Sequence, residues 1–260
     1  MSEVIPIIDS KLYLGVSIVF LFCSLLNFLL KIGIQKLMFI AFIRSIVQLL
    51  FLGIIISSLF SLSSWFLIIP IMVMILIASF RNGSLKNLEQ VFHRYVSIFF
   101  SVIPMGIFTL FIIGSQSLSS AKMVIPIFGM LIGNSLNGVA LGIDRFESEL
   151  KSHRDLFISD LSFGLSATYA AKKYIQVALK AAMTPILNAM SIVGIVSIPG
   201  MMTGQILSGA SPFEASKYQL LILVCIMGTI FVGAIVGILI TLKSYVQKNY
   251  MFLTGKLRHG

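Results

Sequence analysis

Seven apolar stretches, separated by short polar or basic segments, fill most of the chain: roughly Leu12–Leu30, Ile40–Phe60, Trp65–Phe80, Tyr95–Ile113, Met123–Ile143, Ile186–Leu207 and Tyr218–Leu242. A helix needs ~17–25 apolar residues to cross a hydrocarbon core, and each stretch is near that length, the third being short. The pattern predicts an all-α fold, a polytopic membrane helix bundle of about seven transmembrane helices. There is room for little else, so residues 1–260 read as a single membrane domain.

The polar segments carry the direction. Sixteen of the 19 Lys and Arg residues fall in alternate connections: Lys31, Lys36 and Arg44; Arg81, Lys86 and Arg94; six between Arg145 and Lys180; then Lys243, Lys248, Lys256 and Arg258. The other set holds only Lys11, Lys122 and Lys217. Basic loops stay in the cytoplasm, so the N-terminus is expected outside and the C-terminus inside, which an odd number of spans requires. Arg44 opens the second span, where it is expected to anchor at the cytoplasmic interface or, with Gln48, to meet a partner protein.

Composition excludes other classes. The chain is 58% hydrophobic and 11% charged, whereas a soluble domain carries roughly 25% charged residues. The net charge of +10 does not indicate nucleic acid, because the basic residues punctuate apolar runs instead of clustering on a solvated face. Cys23 and Cys225 both lie in apolar runs and read as packing residues, with no disulfide or zinc spacing. The first residues lack a basic n-region, so the first apolar run is expected to be a retained span.

One connection, about Asp144 to Thr184, is long enough for chemistry outside the bilayer. It reads as helix, turn, helix, with Gly164 supplying a left-handed residue and Ser166 an N-cap. The second helix is expected to run until Pro185 interrupts it. On it Lys172, Lys173, Gln176 and Lys180 form a basic stripe, and Ala170, Tyr174, Val177 and Ala181 form a different, apolar one. That stripe suits either anionic lipid headgroups or docking into a cytoplasmic partner.

Several absences narrow the function. There is no G-x-x-x-x-G-K-[ST] phosphate loop, no H-E-x-x-H and no G-x-S-x-G, so the chain reads as neither an ATPase nor a hydrolase, and no cofactor is implied. His93, His153 and His259 lack ligand spacing and read as solvated side chains. No Asp or Glu falls inside a predicted span, which argues against a self-powered proton- or cation-coupled carrier.

The fifth and sixth spans are rich instead in kinking and small polar residues. Pro126, Gly129, Gly133, Asn134 and Asn137 lie in one; Pro199, Gly200, Met201, Met202, Gly204 and Gln205 lie in the other. They flank the long connection and are candidates for a transport path or hinge. Most of the 13 methionines read as apolar filler, with Met201 and Met202 the pair best placed to meet a soft metal.

Four segments resemble the FetB-type permease family, once grouped as an uncharacterised membrane family, whose plant relatives are linked to aluminium tolerance. They are Ile125 to Asn134 (IPIFGMLIGN), Val196 to Ile206 (VSIPGMMTGQI), Pro212 to Gln219 (PFEASKYQ) and Arg44 to Leu49 (RSIVQL). The resemblance spans about residues 40 to 240. It implies the membrane subunit of an ABC transporter in the plasma (inner) membrane, two copies working with two ATP-binding subunits, and bacterial members are associated with iron export. Gly164-Leu165-Ser166 lies where that family has its cytoplasmic turn, making Gly164, Ser166, Lys172, Lys173 and Lys180 the expected ATPase-docking residues. The acidic-Ala-Ala start and later proline of other ABC permease docking loops are missing. The residues alone also admit a stand-alone facilitator or channel for a small solute or metal ion, or a non-transporting scaffold.

Overall fold

A computed structural model describes residues 10–60, 64–80, 88–114 and 121–256. Arg81, Lys86, Arg258 and His259 lie outside them. Among the described residues there are ten α-helices and a 3-10 turn, and the β structure is one bridge, Val193 to Ser197. The chain is a polytopic helical membrane protein. Among the described residues five helices are long and apolar enough to cross a bilayer, and two apolar helices, Leu14–Leu29 and Ile68–Phe80, are shorter.

The chain divides into two compact units, residues 1–61 and 62–260. The first pairs α1 (Ser10–Leu29) with α2 (Gln35–Phe60). Positive φ at Lys31 (52°) and Gly33 (84°) turns the chain between them. A polar clasp holds the turn. Asn27 Nδ2 donates to Gln35 Oε1 at 2.7 Å, and Gln35 Nε2 donates to Ser24 Oγ. Such bonds matter in lipid, where an unpaired amide has no water to turn to. Phe20 stacks on Phe42 with centroids 4.2 Å apart.

Helix α2 begins five residues before the predicted span, and this moves Arg44. It stands nine residues past Gln35, about 13 Å along the axis. It is therefore well inside the helix rather than at its mouth, and it and Gln48 are exposed.

The second unit contains α3 (Ile68–Phe80), α4 (Leu88–Ile113), α5 (Ala121–Ser152), α6 (Arg154–Ser162), α7 (Ala167–Ala170), α8 (Lys172–Ile192), α9 (Gly200–Leu207) and α10 (Pro212–Lys256). Helix α10 has 45 residues, about 67 Å, and α4, α5 and α8 pack along it. Small residues allow the close approach, as expected where lipid offers no hydrophobic drive between helices. A Cβ at Gly138 of α5 would lie 2.5 Å from Ile230, and one at Gly142 would lie 3.2 Å from Ala182 of α8. Gly233 and Gly237 of α10 face Ser101 and Ser97 of α4 equally tightly, at 2.8 and 2.9 Å.

The sixth predicted span is corrected. Ile186–Leu207 is not one helix. The helix here that is long and apolar enough to cross is α8, Lys172–Ile192, and it runs through Pro185 rather than stopping there. Ending it at Pro185 would strand several backbone groups in an apolar run, whereas the proline removes a single N–H. The break comes at Gly194 (φ 81°), whose N–H donates to Ser197 O at 2.9 Å to close a tight turn. Pro199, Gly200, Met201, Met202, Gly204 and Gln205 therefore sit beyond the span, on or beside the eight-residue α9, in the link between α8 and α10.

Candidate functional site

Residues 144–171, from the end of α5 to the start of α8, build a helical tip. Helix α5 continues through Asp144 to Ser152, and the backbone leaves helical geometry at His153 (φ −120°, ψ 32°). Helix α6 ends at Ser162, and Gly164, with φ 87°, turns the chain. Ser166 Oγ accepts from Tyr169 N–H at 3.4 Å and starts α7, which leads into α8. Beneath the turn lies a packed core of Phe146, Leu150, Phe157, Tyr174, Ile238 and Leu242, joined by Tyr245. Phe157 meets the Tyr245 ring edge-on at 6.0 Å. The tip is thus fastened to the far ends of α5 and α10, both of which continue into the membrane bundle.

Four large apolar side chains are exposed on its otherwise polar surface. Phe163 is 83% exposed, Tyr169 63% and Leu156 62%, with Leu165 beside them. Sequence reasoning chose the basic stripe and overlooked these residues. The signal was available: an aromatic immediately before a turn glycine, in a polar connection, has no helix face to hide in. Lys172 and Lys173 are exposed next to this surface, while Lys180 lies two turns further along α8. The buried row of α8 is Tyr174, Ala178, Ala182 and Ile186, so Val177 and Ala181 flank it rather than form it.

Of the path candidates, Pro126, Gly133, Asn134 and Asn137 share one uncovered face of α5, while Gly129 is half-buried against Met74. Asn134 Nδ2 donates to Met130 O at 2.8 Å. The opposite side of the same helix is packed against α4, α8 and α10. A polar face open on a bilayer helix calls for a partner or a water-filled space. Helix α9 packs on α10. There Met201 and Met202 are half-buried, Gly200 and Gly204 are open, and Gln205 Oε1 is buried without a hydrogen-bond partner. Among the described residues no three His, Cys, Asp or Glu side chains gather where they could hold a metal ion.

Helices α4, α5 and α10 are latched near the tip by a polar cluster. Arg94 is only 3% exposed and pairs through Nη2 with Asp144 Oδ1 at 3.3 Å, while its Nε and Nη1 have no partner. His93 is also buried, against the expectation of a solvated side chain. Its Nε2 lies 3.1 Å from Ser244 Oγ and 3.9 Å from Glu89 Oε1. Helix α4 begins at Leu88, before the predicted span, so both residues fall on the face it turns to α5 and α10. His153 is exposed and stacks on Tyr174 at 5.5 Å. Cys225 is buried, whereas Cys23 is exposed on α1.

Comparison with known proteins agrees with this architecture. The family model described as "Uncharacterised protein family (UPF0014)" matches residues 10–246. The UPF0014 membrane protein YjkA of Bacillus subtilis is 32% identical over 238 residues, covering 90% of this chain and 94% of that one. The probable iron export permease protein FetB of Escherichia coli is 26% identical over 230 residues, 88% of each chain. Protein ALUMINUM SENSITIVE 3 of Arabidopsis thaliana is 25% identical over 241 residues, 91% of this chain and 87% of that one. No solved structure matches the chain significantly. A multi-pass helical membrane chain matched by the family model over nearly its whole length, it belongs to the UPF0014 family.

Proposed function

We propose that this chain is the membrane-spanning permease subunit of an ABC transporter in the plasma membrane, exporting iron or another metal. The observation that carries the reading is the tip at residues 156–169, a turn shaped by Gly164 and Ser166 that leaves Phe163, Leu165 and Tyr169 exposed. Exposed aromatics on a well-packed scaffold are the usual anchors of a protein interface. The absence of a phosphate loop from the sequence makes an ATP-binding subunit the partner. Metal export comes from the likeness to a protein named a probable iron export permease.

In this reading the tip faces the cytoplasm, as the basic loops require, and Gly164 and Ser166 fix its shape while Lys172 and Lys173 border it. ATP-driven closure of the partner pushes on the tip, and α5 and α10 carry the movement into the bundle. The chain acts as one permease domain. A second copy covers the open face of α5, so that Gly133, Asn134 and Asn137 line the space between the two. Catalysis stays with the partner. Co-expression with a P-loop ATPase encoded beside the gene, followed by purification through a tag on this chain, tests the reading. The ATPase is expected to co-purify in equal amount, and its absence from every preparation contradicts the proposal.

A further inference from the structure

We propose that α2 of one copy lies antiparallel along the open face of α5 in a second copy, with Arg44 pairing to the partner's Asp144. The inference rests on the reading that a second copy covers that face, and it names the element that does so. It starts from Arg44, at the middle of the span Gln35–Ile55, none of whose residues is buried. A guanidinium at that depth is costly unless it faces water or pairs with an anion. Helices α1 and α2 carry no Asp or Glu, and Arg44 enters no salt bridge among the described residues.

Among the described acids, Asp144 is the one placed to meet this need. Glu89 precedes the span Val91–Ile113 of α4, and Asp155 and Asp160 lie on α6 in the tip. Glu147 and Glu149 pair along α5 with Lys151 and Arg145, and Glu214 pairs with Lys217 at the end of α10 away from the tip. Asp144 also has a partner, Arg94 at 3.3 Å, but through Oδ1 alone, and its side chain is 60% exposed. A carboxylate accepts at both oxygens, so Oδ2 can take a second guanidinium. Asp144 also continues the open face of α5: Asn134, Asn137, Leu141 and Asp144 follow at helical spacing, and all are exposed.

The two faces match in register. In the orientation the basic loops require, α2 enters from the cytoplasm and α5 runs toward it, so the helices are antiparallel. Gln48 is one turn beyond Arg44, ~6 Å along the axis, and Asn137 is ~10 Å from Asp144 in the same direction. The flexible Arg44 and Gln48 side chains span the difference. A helical side chain leans toward the N-terminus of its helix, here the cytoplasmic end, which brings the guanidinium toward the level of Asp144. Gln48 and Asn137 are primary amides, each able to donate and to accept. A Cβ at Gly133 would meet nothing within 4 Å, which leaves room for an incoming backbone. Cation thus faces carboxylate and amide faces amide, twice over in a two-fold dimer.

The test is disulfide cross-linking of the full chain, co-expressed with its ATP-binding subunit, in native membranes. Cys23 is first replaced by Ala, while Cys225 is buried and stays. Chains carrying Gln48→Cys under one tag and Asn137→Cys under another are then expressed together and oxidised. A mixed dimer bearing both tags is expected, at least fivefold above a control pair of Gln48→Cys with Phe108→Cys, an exposed position of α4. Adding Arg44→Gln is expected to cut the yield at least fivefold with the melting temperature unchanged. A yield no higher than the control's, or one that Arg44→Gln leaves unaltered, overturns the inference. So does a disulfide that forms only within doubly substituted chains. An adduct of Gln48→Cys with a different membrane protein, or an Arg44 dependence that vanishes in liposomes free of anionic lipid, assigns Arg44 to that protein or to headgroups and also overturns it. Co-purification of the ATP-binding subunit is scored on the same samples. Its presence beside a failed cross-link leaves the permease reading standing, and its absence removes that reading whatever the cross-link shows.

Discussion

Phe163→Ala should separate docking from folding. Phe163 is 83% exposed, so of the ~200 Å² that a phenylalanine presents, about 165 Å² awaits a partner. At ~25 cal/mol per Å² that sets a ceiling of about 4 kcal/mol. The methyl that remains and the cost of ordering the interface bring the expected loss to about 2–3 kcal/mol, the range of an interface anchor. In the dissociation constant this is roughly 30- to 150-fold. The assay is binding of the purified ATP-binding subunit to immobilised, detergent-solubilised chain, with thermal unfolding of each variant measured alongside. Phe163→Ala should melt with wild type, because its ring touches no core. Phe157→Ala is the control: that side chain is 1% exposed beneath the tip and should cost about 3–5 kcal/mol of stability. A Phe163→Ala affinity within threefold of wild type would refute the assignment of the tip as the dock.

Other variants probe different parts of the account. Reversing charge with Lys172→Glu and Lys173→Glu should slow association several-fold at low salt and much less at 0.5 M, since both side chains are exposed at the border of the dock and are screened by salt. Gly233→Ala forces a methyl to within 2.7 Å of Val139 and 2.8 Å of Ser101; it should cost about 1–3 kcal/mol, read as a lower melting temperature, whereas Gly133→Ala, which meets open space, should not. Asp144→Asn leaves the buried Arg94 without its counter-ion. Stranding a fully buried charge costs ~3–5 kcal/mol, but the Asp144 side chain is 60% exposed, so about 1–3 kcal/mol is expected, with partial recovery when Arg94→Leu is added.

The apolar pattern made the helical membrane class legible, and charge asymmetry pointed to a direction. Turn chemistry was legible as well: Gly164 is left-handed and Ser166 caps the helix that follows. What failed was register. Hydropathy averages over a window, and the Lys, Gln and Thr residues between 172 and 184 hid the first half of α8, so the span was drawn some 14 residues late. Pro185 strengthened the error, because a proline is a helix breaker in water and a tolerated kink in lipid. The conspicuous P-G-M-M-x-G segment was then placed inside the sixth span, when it opens a short helix after a Gly194 turn.

Side-chain burial lies further from what a single sequence discloses. His93 and Arg94 read as loop residues because α4 starts earlier than its apolar run, and their burial depends on α5 and α10, which lie far away in sequence. The exposed aromatics of the tip were missed for the opposite reason: lysines drew attention to charge, while Phe163 and Tyr169 stand outside the core beneath them.

The most direct measurement is ATP-dependent movement of labelled iron into inside-out membrane vesicles holding this chain with and without its ATP-binding subunit. The account predicts accumulation only when chain, partner and hydrolysable ATP are all present, and none with a non-hydrolysable analogue. Accumulation by the chain alone, or unaffected by removing ATP, would contradict it and identify a facilitator instead.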